Sequence, residues 1–274
     1  MKIDCKENYL AEGLVHKIYK FDENIYKVPK DEFQDFNNLE HFFVERVSHE
    51  ILRETSLPAV EVLNIYEKGE LIEDKCVLEE RFIPGDVIDN PNLNSNERKK
   101  IILNMLAVNK IKIHGFGRIN TNGRANFSKW YDYIENSIEE VSTILENCRE
   151  ENLEIYLKYL ASEIRRVPLI SEGFFLTLDT NSNNYIFNNN QEIIAMIDVD
   201  HPISGDKLYE YAALKFHHPK NFQILESKYV DFNKSELDLL KYYFIHFGIS
   251  TITFELLHNL DIGKSLRSLE NVQL

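Results

Sequence analysis

FFLTLDTNSNNYIFNNNQEIIAMIDVDHPISGD, residues Phe174–Asp206, is the stretch from which the fold reads outward. The apolar run Phe174–Leu176 leads to Asp179, and five positions later stands Asn184. A short strand, Tyr185–Phe187, follows. Asn188–Asn190 supply a polar turn, and a second strand, Ile193–Ile197, ends at Asp198. Both strands are rich in β-forming residues, and the three-asparagine turn suits a hairpin. Three oxygen-bearing side chains are thus expected at the ends of two short, paired strands. Asp and Asn are also ordinary turn residues, since they bond their own backbone and tolerate unusual dihedrals, so a plain hairpin remains open for this stretch alone.

The spacing matches what phosphoryl transfer requires: a carboxylate near the attacking hydroxyl, and oxygen ligands that hold magnesium on nucleotide phosphates. The stretch resembles the catalytic segment of the aminoglycoside phosphotransferase-like kinases, usually His-Gly-Asp, four residues, Asn, then Ile-Asp-Phe or similar. The resemblance implies that Asp179 is the catalytic Asp, and that Asn184 and Asp198 are magnesium ligands. Gly205-Asp206 with Leu208–Ala212 resembles the downstream Gly-Asp-Pro-x-x-Asp-Leu-Ala signature. Thr177 and Leu178 stand where that family usually has His and Gly, a departure at the residues that fix the catalytic loop.

Upstream, residues 14–29 read as two strands joined at Asp22–Asn24, with Lys27 inside the second. A strand lysine is often a solvated outer-face residue; the functional alternative is a lysine on nucleotide phosphates. Residues 36–55 read as an amphipathic helix with Leu39, Phe42, Phe43, Val47, Ile51 and Leu52 at near-helical spacing. Glu45, with Glu50 as runner-up, is expected to pair with Lys27, although helix glutamates are mostly solvated. Strands are expected over 59–65 and 75–83. Pro84-Gly85 then punctuates the chain. Phe82–Gly85 resembles the family's lobe hinge, which implies purine contacts from the Arg81 carbonyl and the Ile83 amide.

Residues 95–113 are expected to form a helix started by Ser95, and 114–128 a glycine loop containing His114 at the helix end. A helix from about Ser128 carries Trp130 and Tyr133. This loop and helix resemble the hygromycin- and viomycin-phosphotransferase branch. Residues 136–166 read as a further helical stretch, and Asp206–His218 and Lys234–His258 as helices, the last with a serine start. Asp206, Glu210, Glu236 and Asp238 are candidates to line an acceptor pocket.

The net charge of −14 argues against a nucleic-acid backbone as partner and accords with a cationic ligand. The three cysteines, Cys5, Cys76 and Cys148, are widely spaced and odd in number, and form no metal pattern and no disulfide framework. MKIDCKENYL holds no apolar core of signal-peptide length, and no run is long enough to span a bilayer, so a cytoplasmic protein without a membrane partner is expected.

Together the resemblance implies an α+β, protein-kinase-like two-lobed fold. It would have a small β-rich N-terminal nucleotide-binding lobe (1–84) and a larger, mainly helical catalytic and acceptor-binding lobe (85–274). It implies a monomeric or dimeric small-molecule kinase using Mg2+ and ATP or GTP, with a cationic hydroxyl-bearing antibiotic such as an aminoglycoside as acceptor. Lys27, Glu45, Arg81 and Ile83 would bind nucleotide. The alternatives are a sugar or amino-alcohol kinase, or a nucleotide-binding pseudokinase given Thr177-Leu178.

Overall fold

The computed structural model describes residues 8–148 and 153–272. Strands β1 (Tyr9–Glu12), β2 (His16–Phe21) and β3 (Asn24–Pro29) come first, then helix α1 (Leu39–Glu54), then β4 (Val62–Tyr66) and β5 (Val77–Arg81). The five strands pair antiparallel in the order β1-β2-β3-β5-β4. The hairpin expected over 14–29 is β2–β3. Strand β1 is exposed at all four positions, so no apolar alternation marks it in the sequence.

Helix α1 starts at Leu39 because Asn38, in an extended conformation, accepts a hydrogen bond from the His41 amide at 2.8 Å. Its buried face differs from the expected apolar stripe. His41, Phe42, Glu45, Ser48, His49 and Leu52 are buried, while Phe43 is exposed. Polar groups can occupy that face only where partners compensate their lost hydration, as Lys27 does for Glu45.

Helix α2 (Ser95–Val108) is capped by Asn94 rather than Ser95. Asn94 Oδ1 accepts from the Asn96 and Glu97 amides at 2.8 and 3.1 Å, and Glu97 Oε2 accepts from the Asn94 amide at 2.8 Å, a capping box shifted by one residue. The helix also ends five residues early. Asn109 is buried and donates to the Phe175 carbonyl at 3.1 Å, and the chain turns into β6 (Lys112–Ile113). His114 therefore lies between strands, not at a helix end. The expected glycine loop contains β7 (Phe116–Ile119) and β8 (Ala125–Phe127), which pair antiparallel. Gly117 has φ 93°, and a Cβ there would lie 2.6 Å from the Tyr133 ring, so glycine is the residue that fits.

The stretch 136–166 divides into α3 (Trp130–Cys148) and α4 (Glu154–Glu163). Then come β9 (Gly173–Leu176), β10 (Tyr185–Phe187), β11 (Ile193–Met196), β12 (Ile203–Gly205), α5 (Lys207–His217), α6 (Pro219–Lys228), α7 (Lys234–Leu257) and α8 (Gly263–Glu270). Proline begins α6, where its missing N–H costs nothing. Asn233, not Ser235, caps α7 in a reciprocal box with Glu236. Cys76 is a buried free thiol; Cys5 and the side chain of Cys148 lie outside the described residues.

The elements form two compact units. The first takes the chain up to Asn104 with Asn120–Gly123 and Asn181–His201. The antiparallel β10–β11 hairpin therefore belongs with the N-terminal sheet. The Val60 amide donates to the Met196 carbonyl at 3.3 Å, the Met196 amide to Pro58 at 2.8 Å, and Asp86 and Phe187 exchange two bonds of 2.9 Å. The second unit takes Met105–Ile119, Arg124–Thr180 and the chain from Pro202 onward. It holds an antiparallel sheet, β6-β9-β12-β7-β8, and helices α3 to α8. Its core gathers round Trp130, whose Nε1 donates to Tyr243 Oη at 2.7 Å. Tyr243 in turn donates to Asp206 Oδ2 at 3.1 Å, and Asp206 caps α5 through the Leu208 amide. Among the described residues no helix is long and apolar enough to cross a membrane.

Candidate active site

In the first unit β3 carries Lys27 into the interior, 4% exposed, opposite Ile18 and Leu78 in the sheet. Its ammonium meets three carboxylates. It donates to Glu45 Oε1 on α1, lies 3.3 Å from Asp198 Oδ1 and 3.6 Å from Glu80 Oε1 on β5. Burial alone would depress the lysine, but Glu45, Glu80 and Asp198 outweigh it and hold the ammonium well above its ordinary value. Burial likewise pushes against ionised Glu45, and Lys27 with His49 wins, holding that carboxyl well below the usual range. For Glu80 burial prevails over the pull of Lys27, and its carboxyl is pushed up.

Of the two glutamates read as partners for Lys27, Glu45 is the one in contact. Glu50 is exposed and 3.8 Å from Arg46. Two members of the cluster escape the sequence reading. Glu80 is buried, and His49, one helical turn after Glu45, places Nε2 3.7 Å from both Glu45 and Glu80. A signal for Glu80 was present. Two consecutive carboxylates in the apolar strand KCVLEERFI put one on each face of β5, so if both faces are covered each needs a partner. Glu79 finds one in the Tyr26 and Tyr66 hydroxyls, each at 2.7 Å.

Asn184 and Asp198 bracket the β10–β11 hairpin. The Ile197 amide donates to the Asn184 carbonyl at 2.9 Å, which sets the two segments side by side. Asp198 adopts φ 63°, and its side chain is 42% exposed although Oδ1 faces Lys27. An amide and a carboxylate are hard oxygen donors that suit Mg2+, an ion that keeps several waters and takes one or two carboxylates plus phosphate oxygens. Arg81 is exposed at the end of β5 with Nε 3.7 Å from Glu61, and its amide is bonded to the Glu61 carbonyl. Ile83 packs with Ile194 and Ile197 against Val60, Ile186 and Ala195, an apolar floor next to Asp198 in the chain.

In the second unit Asp179 is exposed, three residues past the end of β9. Glu210 on α5 holds the residues before it. Its Oε1 accepts from Thr177 Oγ1 at 2.9 Å and from the Leu178 amide at 3.1 Å, with Leu178 at φ 61°. Burial pushes the Glu210 carboxyl up to about 7. The sequence offers Glu210 as a candidate to line an acceptor pocket; it is buried, and one of its oxygens is committed to this loop, its two lone pairs taking both donors. Asp206, likewise, is occupied as a helix cap. Glu236 caps α7, and Asp238 lies 3.9 Å from Arg166.

No family model matches the chain, and no curated protein matches it in sequence. Solved structures do match it. A thermostable mutant of aminoglycoside phosphotransferase APH(4)-Ia, in ternary complex with AMP-PNP and hygromycin B, superposes with a TM-score of 0.76 at 19% identity, over 96% of this chain and 90% of that one. The fold is that of the aminoglycoside phosphotransferases. The gentamicin–APH(2″)-IIa complex shares the phosphotransferase fold at a TM-score of 0.63 and 15% identity, covering 97% of this chain and 91% of its own. The GDP complex of wild-type aminoglycoside 2′-phosphotransferase-IIIa does so at 0.63 and 13%, covering 96% and 90%.

Proposed function

We propose that this protein is a small-molecule kinase that transfers the γ-phosphate of ATP or GTP to a hydroxyl of an aminoglycoside or related cationic antibiotic. The observation that carries the reading is Lys27, buried on β3 and gripped by Glu45 and Asp198. No stability argument favours burying a lysine among three carboxylates, whereas anchoring a cation for phosphate oxygens does. The phosphotransferase fold supports the reading, as do the AMP-PNP, GDP, hygromycin B and gentamicin held by structures of that fold.

In this reading Lys27 takes the α- and β-phosphates, and Glu45 keeps it aimed. The Arg81 carbonyl and Ile83 amide receive the purine over the apolar floor of Ile186, Ile194 and Ile197. Asn184 and Asp198 would hold Mg2+, which neutralises phosphate charge when bound. Asp179 accepts the acceptor hydroxyl's proton, and Glu210 fixes the loop before it in place of the His-Gly pair. The surplus of acidic residues steers a polycation toward the protein.

The test is a nucleotide-consumption screen against cationic antibiotics, with mass detection of a phosphate adduct. Asp179→Asn is expected to cut turnover by about 10²–10⁴-fold while sparing nucleotide affinity. Nucleotide binding with no adduct from any acceptor would assign the chain to nucleotide-binding proteins without transferase activity.

A further inference from the structure

The first unit carries a second polar cluster outside the Lys27 site. His41 lies on α1, and Asp200 and His201 follow β11. His41 Nε2 is 3.8 Å from Asp200 Oδ2, and His201 Nε2 is 4.0 Å from the same oxygen. One donor atom from each of the three lies within 4.8 Å of the others. These gaps are too long for hydrogen bonds. Ligands about 2.0–2.1 Å from a tetrahedral ion sit roughly 3.4 Å apart, so small rotations of the Asp200 and exposed His201 side chains close the set.

Two further observations point to a ligand here. His41 is buried, and its Nε2 has no hydrogen-bond partner, an arrangement that costs stability unless something else meets that nitrogen. The rings are also positioned by packing. His41 and His201 stand 5.1 Å apart between centroids, each edge-on to Phe36 at 5.1 Å, and His41 stacks on His16 at 5.5 Å.

We propose that His41, Asp200 and His201 form a binding site for a divalent transition-metal ion of the zinc class. Two imidazoles and one carboxylate are the donors that such ions prefer, whereas Mg2+ takes oxygen. The exposure of His201 leaves a position for water. The site also has a purpose in this fold. His41 is one helical turn before Glu45, and Asp200 is two residues after Asp198. An ion held here ties the face of α1 that grips Lys27 to the segment that carries Asp198. The site neither uses nor requires a nucleotide, so it stands apart from the kinase reading.

Co2+ serves as the probe, titrated into the full chain after chelator treatment and with excess Mg2+ present. The expected result is one Co2+ per chain, with the intense visible absorption of a four-coordinate site and no displacement by Mg2+. His201→Ala and Asp200→Asn should each weaken binding by about tenfold or more. His201 is exposed, so its variant keeps its metal-free unfolding midpoint. Asn184→Ala should leave Co2+ binding intact. Absence of stoichiometric binding overturns the proposal, as does binding that survives His201→Ala or that Asn184→Ala abolishes.

Discussion

Glu210→Gln tests how the loop before Asp179 is held, and its effect can be worked out in advance. Burial pushes the native carboxyl up to about 7 from an ordinary 4.5, and one of its oxygens, Oε2, has no hydrogen-bond partner. The native state therefore keeps a proton that the unfolded chain has already released. The sign follows: stability is full below the unfolded value, falls as pH rises toward the native value, and levels off above it. The gap is worth about 3 kcal/mol at about 1.36 kcal/mol per pH unit, most of which is lost between about pH 5 and about pH 8. Glutamine cannot titrate. Its oxygen keeps the bonds from Thr177 and Leu178, and its Nε2 replaces the unpartnered oxygen at a pH-independent cost of about 1–3 kcal/mol. The chain's single tryptophan, Trp130, is buried in the same unit, so its fluorescence reports urea unfolding there. The wild-type midpoint should fall by roughly 1–2 M urea across that pH range relative to the variant. Parallel pH profiles for the two proteins, or a wild type that gains on the variant as pH rises, would refute the account.

Two other substitutions probe the two units separately. Lys27→Met strands buried Glu45 and Glu80, a loss of about 3–5 kcal/mol that should speed hydrogen exchange of the α1 amides. Adding Glu45→Leu should recover part of it, and a double variant less stable than the single would contradict the ion-pair reading. Gly205→Ala places a methyl about 2.5 Å from the Trp130 ring, and the overpacking should lower the Trp130-detected unfolding free energy by about 1–3 kcal/mol, with a matching fall in the urea midpoint. An unchanged midpoint would show that the ring yields freely.

Local patterns made much of this readable. Residues 185–197 announce a hairpin by residue type, and β10–β11 is that hairpin. Glu45 and Lys27 could be named as partners because a resemblance supplied their order. Helix starts were less legible, since Asn94 stands one position and Asn233 two positions before a serine that could equally have capped, and only the backbone decides between them. Buried polar clusters were the hardest to foresee. Periodicity assigns the inside of a helix to apolar residues, and on α1 the interior belongs largely to His41, Glu45, Ser48 and His49; Glu45 meets Lys27 on β3 and His49 lies beside Glu80 on β5, both distant in the sequence. Glu210, a candidate for an acceptor pocket, shows a related difficulty: its spacing gives no sign of the loop it holds, more than thirty positions earlier.

The left-handed backbone at Asp198 narrows what mutation can offer there. Few side chains other than glycine, asparagine and aspartate accept that dihedral without strain, and among those three only aspartate brings a negative charge to Lys27. Glutamate would preserve the charge and strain the chain; asparagine would preserve the chain and forfeit the charge. Conformation and electrostatics thus penalise different substitutes, and a saturation library at this codon should be enriched in aspartate.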